Sequence, residues 1–132
     1  MSQLPPHNSA PLTNIENQPF WDATAEGKLL LKKCHGCGDH HFYPRTICPF
    51  CFSDDTVWVE ASGKGIIYSY SVVRKAEVPH AMAYVTLEEG PTMMTNIIGC
   101  DLDSVRIDMP VVVTFLDTGE GNALPMFTPA PG

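Results

Sequence analysis

Residues 34–51 read CHGCGDHHFYPRTICPFC, and this stretch decides how the first half of the chain folds. It contains two Cys-X-X-Cys pairs, with ten residues between the pairs. This spacing lets four thiolates from two tight turns meet at one tetrahedral ion, as in a structural zinc site. Four sulfur ligands complete the coordination, so no position remains open for a substrate or a catalytic water. The predicted ligands are Cys34, Cys37, Cys48 and Cys51.

The four sulfurs leave the identity of the metal open between zinc and iron. Iron takes the same ligands in rubredoxin-like sites, whereas zinc is the commoner occupant of such ribbons. We therefore expect one structural Zn2+ per chain, with iron as the alternative. A redox dithiol is less favoured, because it usually involves one Cys-X-X-Cys pair near a βαβ unit. His40 and His41 lie between the pairs, but the four sulfurs already saturate the site, so we expect neither histidine to bind the metal.

Composition and charge limit the compartment and the partners. The 132 residues suit one small metal-stabilised unit and one compact core, and the sequence shows neither an apolar run that could span a bilayer nor a signal peptide. A fifth cysteine, Cys100, belongs to neither pair, which argues against an oxidising compartment. We expect a cytoplasmic protein without membrane contact. The net charge of −7 is spread over both halves and disfavours nucleic-acid binding, which depends on Lys and Arg.

The chain divides into three predicted segments. Residues 1–27 form an arm and a short helix, because the first sixteen residues are rich in Pro and Asn and lack periodicity. Residues 28–56 form the zinc ribbon, which a strand enters at its start. Residues 57–132 form a β domain, since short apolar runs alternate there with turn residues.

The predicted helix covers Gln18–Glu26. Asn17 stands where an N-cap belongs, and Gly27 stands where a helix ends. Phe20 and Trp21 give the helix an apolar side. We expect this side to dock the helix on the core, in preference to the alternative that it covers a partner.

The β domain is predicted to be a five-stranded OB barrel. Its first strand is read as one long stretch from Val57 to Val73, interrupted by Gly63 and Gly65, where a bulge or bend is expected. A meander, a helical turn at 101–105 and two closing strands follow, which is the element order of an OB fold. The predicted later strands are Met82–Leu87, Thr92–Ile98, Val111–Leu116 and Leu124–Phe127. The fold class is therefore mainly β, with an N-terminal helix, a rubredoxin-like ribbon and a barrel.

The order and spacing of several segments resemble the zinc-ribbon plus OB-fold family known as domain of unknown function thirty-five. The resemblance runs from about residue 13 to the end of the chain. The segments that carry it are Phe20–Asp22, Lys28–Leu31, the two Cys-X-X-Cys pairs, Tyr43–Arg45, Gly63–Tyr70, Thr95–Cys100 and Ile107–Val111. One departure is Asp108, where glycine is expected in the turn before Met109, and this concerns turn geometry more than function.

The resemblance implies a function in acyl-CoA metabolism. Members of the family often associate with thiolases of the lipid-transfer-protein type, and related complexes cleave acyl-CoA side chains by thiolysis or retro-aldol chemistry. The resemblance therefore implies a non-catalytic accessory subunit with a thiolase-like partner and acyl-CoA as the ligand. Some members are thought to hold coenzyme A thioesters or to bridge a thiolase to another acyl-CoA enzyme.

Aromatic and basic residues near the start of the barrel form a candidate ligand site. Tyr68 and Tyr70 occupy alternate positions of the first strand and are predicted to share a face. Together with cations, they could stack a purine and meet the phosphates of coenzyme A. Two alternatives stay open, in which the tyrosines bind single-stranded nucleic acid or fill the barrel. The candidate ligand residues are Arg45, Lys64, Tyr68, Tyr70 and Arg74.

Cys100 is the candidate nucleophile if the chain acts as an enzyme alone. It follows an apolar strand, where a free cysteine is usually a small buried apolar residue. A reactive thiol needs a cationic or helix N-terminal environment. Three functions therefore remain open: an acyl-CoA accessory subunit, which we favour, an OB nucleic-acid module, and a stand-alone enzyme using Cys100.

Overall fold

The computed structural model describes residues 14–75, 77–119 and 121–131. Most of the predicted N-terminal arm falls on residues 1–13 and lies outside this part of the chain. Asn14 and Asn17 enter the structure as a turn in which each side-chain oxygen accepts a hydrogen bond from the other residue's backbone N–H, at 2.7 and 3.0 Å. Among the described helices, none has the length and hydropathy needed to cross a membrane.

Helix α1 covers Gln18–Thr24, so it begins where the sequence predicts and ends two residues earlier. Asn17 precedes it but makes no side-chain capping bond. Its side-chain oxygen accepts a hydrogen bond from the Asn14 N–H, and its amide nitrogen donates to the Tyr43 hydroxyl. Phe20 and Trp21 are buried in the common core, which confirms that the apolar side of the helix docks there.

The ribbon is built on a three-stranded antiparallel sheet of β1 (Leu30–Cys34), β2 (His40–His41) and β3 (Thr56–Glu60), in the order β2-β1-β3. Strand β3 pairs with β1 along its whole length, from Leu30 opposite Glu60 to Cys34 opposite Thr56. The predicted continuous stretch from residue 57 to residue 73 is therefore split between two sheets. The turn around Gly63 separates β3 from the barrel, because its φ of +83° redirects the backbone.

The second part of the chain is a closed five-stranded barrel in the order β4-β5-β6-β8-β7. Strand β8 runs parallel to β6 and antiparallel to β7, and a 3-10 turn at Leu102–Ser104 leads from β6 towards β7. This strand order confirms the predicted OB barrel. The barrel strands are β4 (Lys64–Val73), β5 (His80–Leu87), β6 (Thr92–Ile97), β7 (Pro110–Asp117) and β8 (Ala123–Pro129).

One hydrophobic core joins the helix, the ribbon and the barrel. Phe20 and Leu31 have no exposed surface and belong to the same buried cluster as Ile67 and Phe127 of the barrel. Thr24 adds a polar link, because its hydroxyl accepts a hydrogen bond of 3.0 Å from the backbone N–H of Ala123 in β8. The ribbon is thereby held against the barrel by α1.

Candidate metal centre and ligand surfaces

The four predicted metal ligands lie together at the tip of the ribbon. Their sulfur atoms are all within 4.8 Å of one another, and they form the only such cluster of His, Cys, Asp and Glu ligands in the described part of the chain. Cys34 and Cys51 are 3.6 Å apart at sulfur, and Cys37 and Cys48 are 3.8 Å apart. Sulfurs at about 2.3 Å from a tetrahedral zinc are about 3.8 Å from one another. The cysteines therefore fit a tetrahedral metal ion.

Two turns of equivalent backbone structure, which we call knuckles, carry the cysteines. In the first, the carbonyl of Cys34 accepts from the N–H of Gly38 at 2.8 Å, and in the second, Cys48 accepts from Phe52 at 2.9 Å. Gly38 and Phe52 both have positive φ, at +81° and +66°. Glycine adopts this conformation freely, whereas a residue with a Cβ pays about 1–2 kcal/mol for it. The second knuckle therefore holds a strained aromatic residue.

Hydrogen bonds to sulfur complete each knuckle. The N–H of Gly36 points at the Cys34 sulfur at 3.2 Å, and the N–H of Phe50 points at the Cys48 sulfur at 3.4 Å. Such N–H groups stabilise thiolate, which is the form that binds a metal. The backbone N–H of Cys37 and the neighbouring thiols lower the pKa of Cys34 to about 7, although burial opposes this.

The thiols also restrict one another's ionisation. The N–H of Asp39 favours the thiolate of Cys37, but burial and the adjacent thiols outweigh it and raise the pKa of Cys37 to about 12. A divalent cation reverses this competition, because it stabilises every thiolate that coordinates it. The donor set therefore suits a cation that binds four sulfurs at once.

The two histidines between the knuckles lie outside the sulfur cluster. His40 and His41 form strand β2. The His41 Nε2 accepts a hydrogen bond of 3.2 Å from the N–H of Arg45, so the ring supports the loop between the knuckles. Burial lowers the pKa of His41, which favours its neutral form.

Arg45, a predicted ligand residue, lies in this loop and is engaged by the N-terminal segment. Its guanidinium is 3.4 Å from a carboxylate oxygen of Glu16, and the other oxygen accepts from the N–H of Thr46 at 2.8 Å. The N–H of Thr46 and the Arg45 guanidinium hold the pKa of Glu16 below its usual value. Arg45 also lies over the Tyr43 ring, with its central carbon 5.8 Å from the ring centre.

The other predicted ligand residues lie along β4 and just after it. Pairing with β5 shifts register between Ile67 and Ser69, so a bulge stands at Tyr68, whose surface is 69% exposed. After the bulge, Ser69 lies opposite the exposed Tyr84 and Tyr70 lies opposite the buried Ala83, so Tyr68 and Tyr70 do not share a face as their alternate positions predicted. Tyr70 is 40% exposed, and Lys64 is exposed at the start of the strand. Arg74 follows the strand and forms an ion pair with Asp103.

Strands β5 and β6 add exposed apolar residues that the sequence analysis did not single out. Their burial alternates, so Met82, Tyr84 and Met94 face outward, with Tyr84 directly opposite Met94. These three residues and Tyr70 line a cavity of 190 Å³. We call this surface the barrel face, defined by Met82, Tyr84 and Met94. The period-two pattern of β5 carries this signal, but alternation alone predicts a strand and does not identify a surface.

A larger apolar groove of 340 Å³ lies where α1 and the ribbon meet the barrel. Trp21 and Tyr43 line one side, and residues 93–96 and 124–126 line the other. The Tyr43 hydroxyl accepts hydrogen bonds from the Trp21 indole at 2.9 Å and from the Asn17 amide at 3.0 Å. Sequence patterns did not reveal this groove, because its walls come from separate elements.

Cys100 lies at the end of the turn after β6. It is half-buried and packs against the hydrophobic core. It belongs to no cluster of potential ligands within the residues that the structure covers. The 3-10 turn that follows it is three residues long and is capped by the side chain of Asp101, which accepts from the N–H of Asp103. This environment is that of a structural cysteine.

The fold and the sulfur cluster define a protein made of a metal-binding ribbon followed by an OB barrel. Two family models match the chain: the ChsH2 rubredoxin-like zinc ribbon domain at residues 21–57, and the ChsH2 C-terminal OB-fold domain at residues 58–116. A "DUF35 domain-containing scaffold protein" from Methanothermobacter thermautotrophicus is 39% identical over 94 residues, which cover 66% of this chain and 71% of that protein. The chain belongs to the ChsH2/DUF35 family, as its motifs predicted.

One further relative is a longer protein, and another is a solved structure. A "Probable enoyl-CoA hydratase alpha subunit" from Thermomonospora curvata is 35% identical over 125 residues, covering 91% of this chain and 39% of that protein. The chain thus spans about two fifths of that subunit's length. A solved structure described as "Ltp2-ChsH2(DUF35) aldolase" matches with a TM-score of 0.80 and 35% identity, covering 92% of this chain and all of the matched one.

Proposed function

We propose that this protein is a non-catalytic, zinc-binding subunit of a thiolase-like or aldolase complex that acts on acyl-CoA thioesters. The observation that carries the proposal is the match over 92% of the chain to the ChsH2 component of an Ltp2–ChsH2 aldolase. The names of its relatives connect the same domain with scaffolding and with enoyl-CoA hydration. The proposed partner is a subunit of the lipid-transfer-protein thiolase type.

The proposed metal is one Zn2+ per chain, with a structural function. The sulfur separations fit tetrahedral zinc, and four cysteines fill its coordination. Iron has the same ligand requirement and is the competing occupant. A reducing compartment such as the cytoplasm keeps the four thiols free of disulfides and available to the metal.

The proposed ligand of the barrel is the coenzyme A part of the thioester. The bulge residue Tyr68 offers an exposed ring to a purine, and Lys64 offers a cation for phosphate at the start of the same strand. Tyr70 lies on the other face of the strand, so it would contact a different part of the ligand. Arg74 is paired with Asp103, and Arg45 with Glu16, so these two arginines must exchange partners to contact phosphate. We expect the lone chain to bind weakly and the partner to complete the site.

The nucleic-acid alternative predicts a different response to salt. Binding to nucleic acid requires many phosphate contacts and weakens steeply with salt, whereas coenzyme A needs few contacts. The net charge of −7 opposes nucleic-acid binding and permits the few phosphate contacts that coenzyme A needs.

Calorimetry of coenzyme A and of a single-stranded oligonucleotide tests the proposal, with and without an Ltp2-type subunit from the same organism. We expect coenzyme A to bind the complex, with shallow salt dependence, and to bind less tightly after Lys64→Ala or Arg45→Ala. The matched control is Lys33→Ala, a substitution on the ribbon strand β1, which is not part of the barrel. Strong oligonucleotide binding at physiological salt, without coenzyme A binding in the complex, would contradict the proposal.

A further inference from the structure

The two knuckles allow a comparison within one chain. The N–H of Gly38 donates a hydrogen bond to the carbonyl of Cys34, and the N–H of Phe52 donates the equivalent bond to the carbonyl of Cys48. Gly36 in the first knuckle corresponds to Phe50 in the second, because the N–H of each donates to a cysteine sulfur. The first knuckle shows that glycine at both positions builds this turn. The second places phenylalanine at both, one of them at a φ of +66° that favours glycine. Metal binding therefore does not account for the aromatic pair.

Packing does not account for the pair either. Phe52 is 79% exposed and Phe50 59% exposed, and Ile47, on the other side of Cys48, is exposed as well. None of the three belongs to the hydrophobic core or packs against it, and their one ring contact among the described residues is that of Phe50, which lies edge-on to the His41 ring with the ring centres 6.4 Å apart. We call this surface the knuckle tip, defined by Ile47, Phe50 and Phe52. An exposed apolar cluster that is maintained at the expense of backbone strain is typical of an interaction surface.

The charge around the knuckle tip indicates the kind of partner. Residues 34–39 and 46–55 contain no Lys or Arg, whereas Asp39, Asp54 and Asp55 are exposed there. The nearest cations in the sequence are Lys33 and Arg45, and Arg45 is paired with Glu16. Four thiolates around a divalent cation add further negative charge. A second copy of the chain would present the same acidic rim and be repelled, and a nucleic acid would be repelled too. A protein with an apolar pocket rimmed by Lys and Arg is complementary.

We propose that the knuckle tip inserts into an apolar, basic-rimmed pocket of the partner enzyme subunit and anchors the complex. This inference rests on the proposed function, because it assigns a surface to the partner proposed there. Phe52 is the central anchor, since aromatic side chains that become fully desolvated supply much of the energy of an interface. Replacing Phe52 with Gly removes both the ring and the backbone strain. The same substitution should therefore weaken binding to the partner and stabilise the folded chain.

The experiment compares wild type, Phe52→Gly, Phe52→Asn and the control Ile107→Ala, which alters an exposed apolar residue on the loop before β7. Asn tolerates positive φ and provides a second variant that keeps a side chain. Zinc content and thermal stability are measured on each free chain, and affinity for the Ltp2-type subunit is measured by sedimentation at low and high salt.

We expect both Phe52 variants to keep their zinc and to be at least as stable as wild type, while their affinity for the partner falls at least about tenfold. Ile107→Ala should bind like wild type, and salt should weaken binding of every variant that binds. Equal affinity of wild type and both Phe52 variants would overturn the inference and leave the proposed function intact. Failure of wild type to bind the Ltp2-type subunit would overturn both the inference and the proposed function. If wild type instead forms a dimer that Phe52→Gly dissociates, the knuckle tip binds a second copy of the chain and the inference is overturned.

Discussion

Replacing Tyr43 with Phe tests how the ribbon, the helix and the barrel are held together. The substitution keeps the ring, which packs edge-on against Phe20 with the ring centres 5.7 Å apart. It removes the hydroxyl oxygen that accepts hydrogen bonds from the Trp21 indole and the Asn17 amide. Both donors belong to residues that are at least nine-tenths buried. The change therefore isolates two polar contacts from the surrounding apolar packing.

The magnitude follows from the number of donors left without an acceptor. A typical intramolecular hydrogen bond contributes about 0.5–1.5 kcal/mol, so the loss of two predicts destabilisation of about 1–3 kcal/mol. For a chain of 132 residues this corresponds to roughly 3–5 °C in Tm for each kcal/mol. The groove beside Tyr43 admits water, which replaces part of the lost bonding and keeps the effect within this range.

The assay is urea unfolding of zinc-saturated protein, with the matched control Tyr84→Phe. Tyr84 is half exposed on the barrel face, and its hydroxyl makes no hydrogen bond to another described residue. We expect the control to stay within about 0.5 kcal/mol of wild type and both variants to keep the wild-type m-value. Equal stability of Tyr43→Phe and Tyr84→Phe would refute the reasoning, because it would show that the two buried donors gain nothing from the hydroxyl.

Three other predictions concern the metal, the pH dependence and catalysis. Replacing Cys51 with Ser removes one of four ligands, so elemental analysis should show loss of zinc, and the ribbon should unfold before the barrel; full zinc occupancy would contradict this. The Thr46 N–H and Arg45 lower the pKa of Glu16, so its contribution to stability is present above the ordinary value of 4.5 and is lost as the pH falls through the folded-state pKa. Wild type and Glu16→Gln should therefore converge in unfolding free energy at acid pH, and a constant difference would argue against the contact. Cys100→Ser should leave turnover by the complex unchanged. If the isolated wild-type chain shows turnover and Cys100→Ser abolishes it, the stand-alone enzyme would be favoured.

The metal ligands were predictable because local spacing determines them. Two Cys-X-X-Cys pairs bring four sulfurs together whatever the surrounding fold, and the structure places Cys34 and Cys51 within 3.6 Å of each other. The barrel was predictable for a related reason, since apolar runs and turns recur in the order of an OB fold. The strand at Thr56–Glu60 was not assigned correctly, because its preference for β structure does not say which sheet it joins.

The surfaces were harder to predict than the fold. Met82, Tyr84 and Met94 form one face only because antiparallel pairing aligns β5 with β6, and that register is a tertiary property. The engagement of Arg45 by Glu16 joins residues twenty-nine positions apart in the chain. The positive φ of Phe52 is a property of the folded second knuckle, and the sequence shows only that Phe stands where the first knuckle has Gly38.

The central claim is that the chain works as a zinc-bearing subunit bound to a thiolase-like partner. Native mass spectrometry of the chain co-expressed with an Ltp2-type subunit from the same organism tests it most directly, because one spectrum reports both the assembly and its bound metal. We predict a complex in which each copy of the chain carries one zinc ion. A spectrum in which the chain stays alone at 14.5 kDa beside a folded partner would contradict the account.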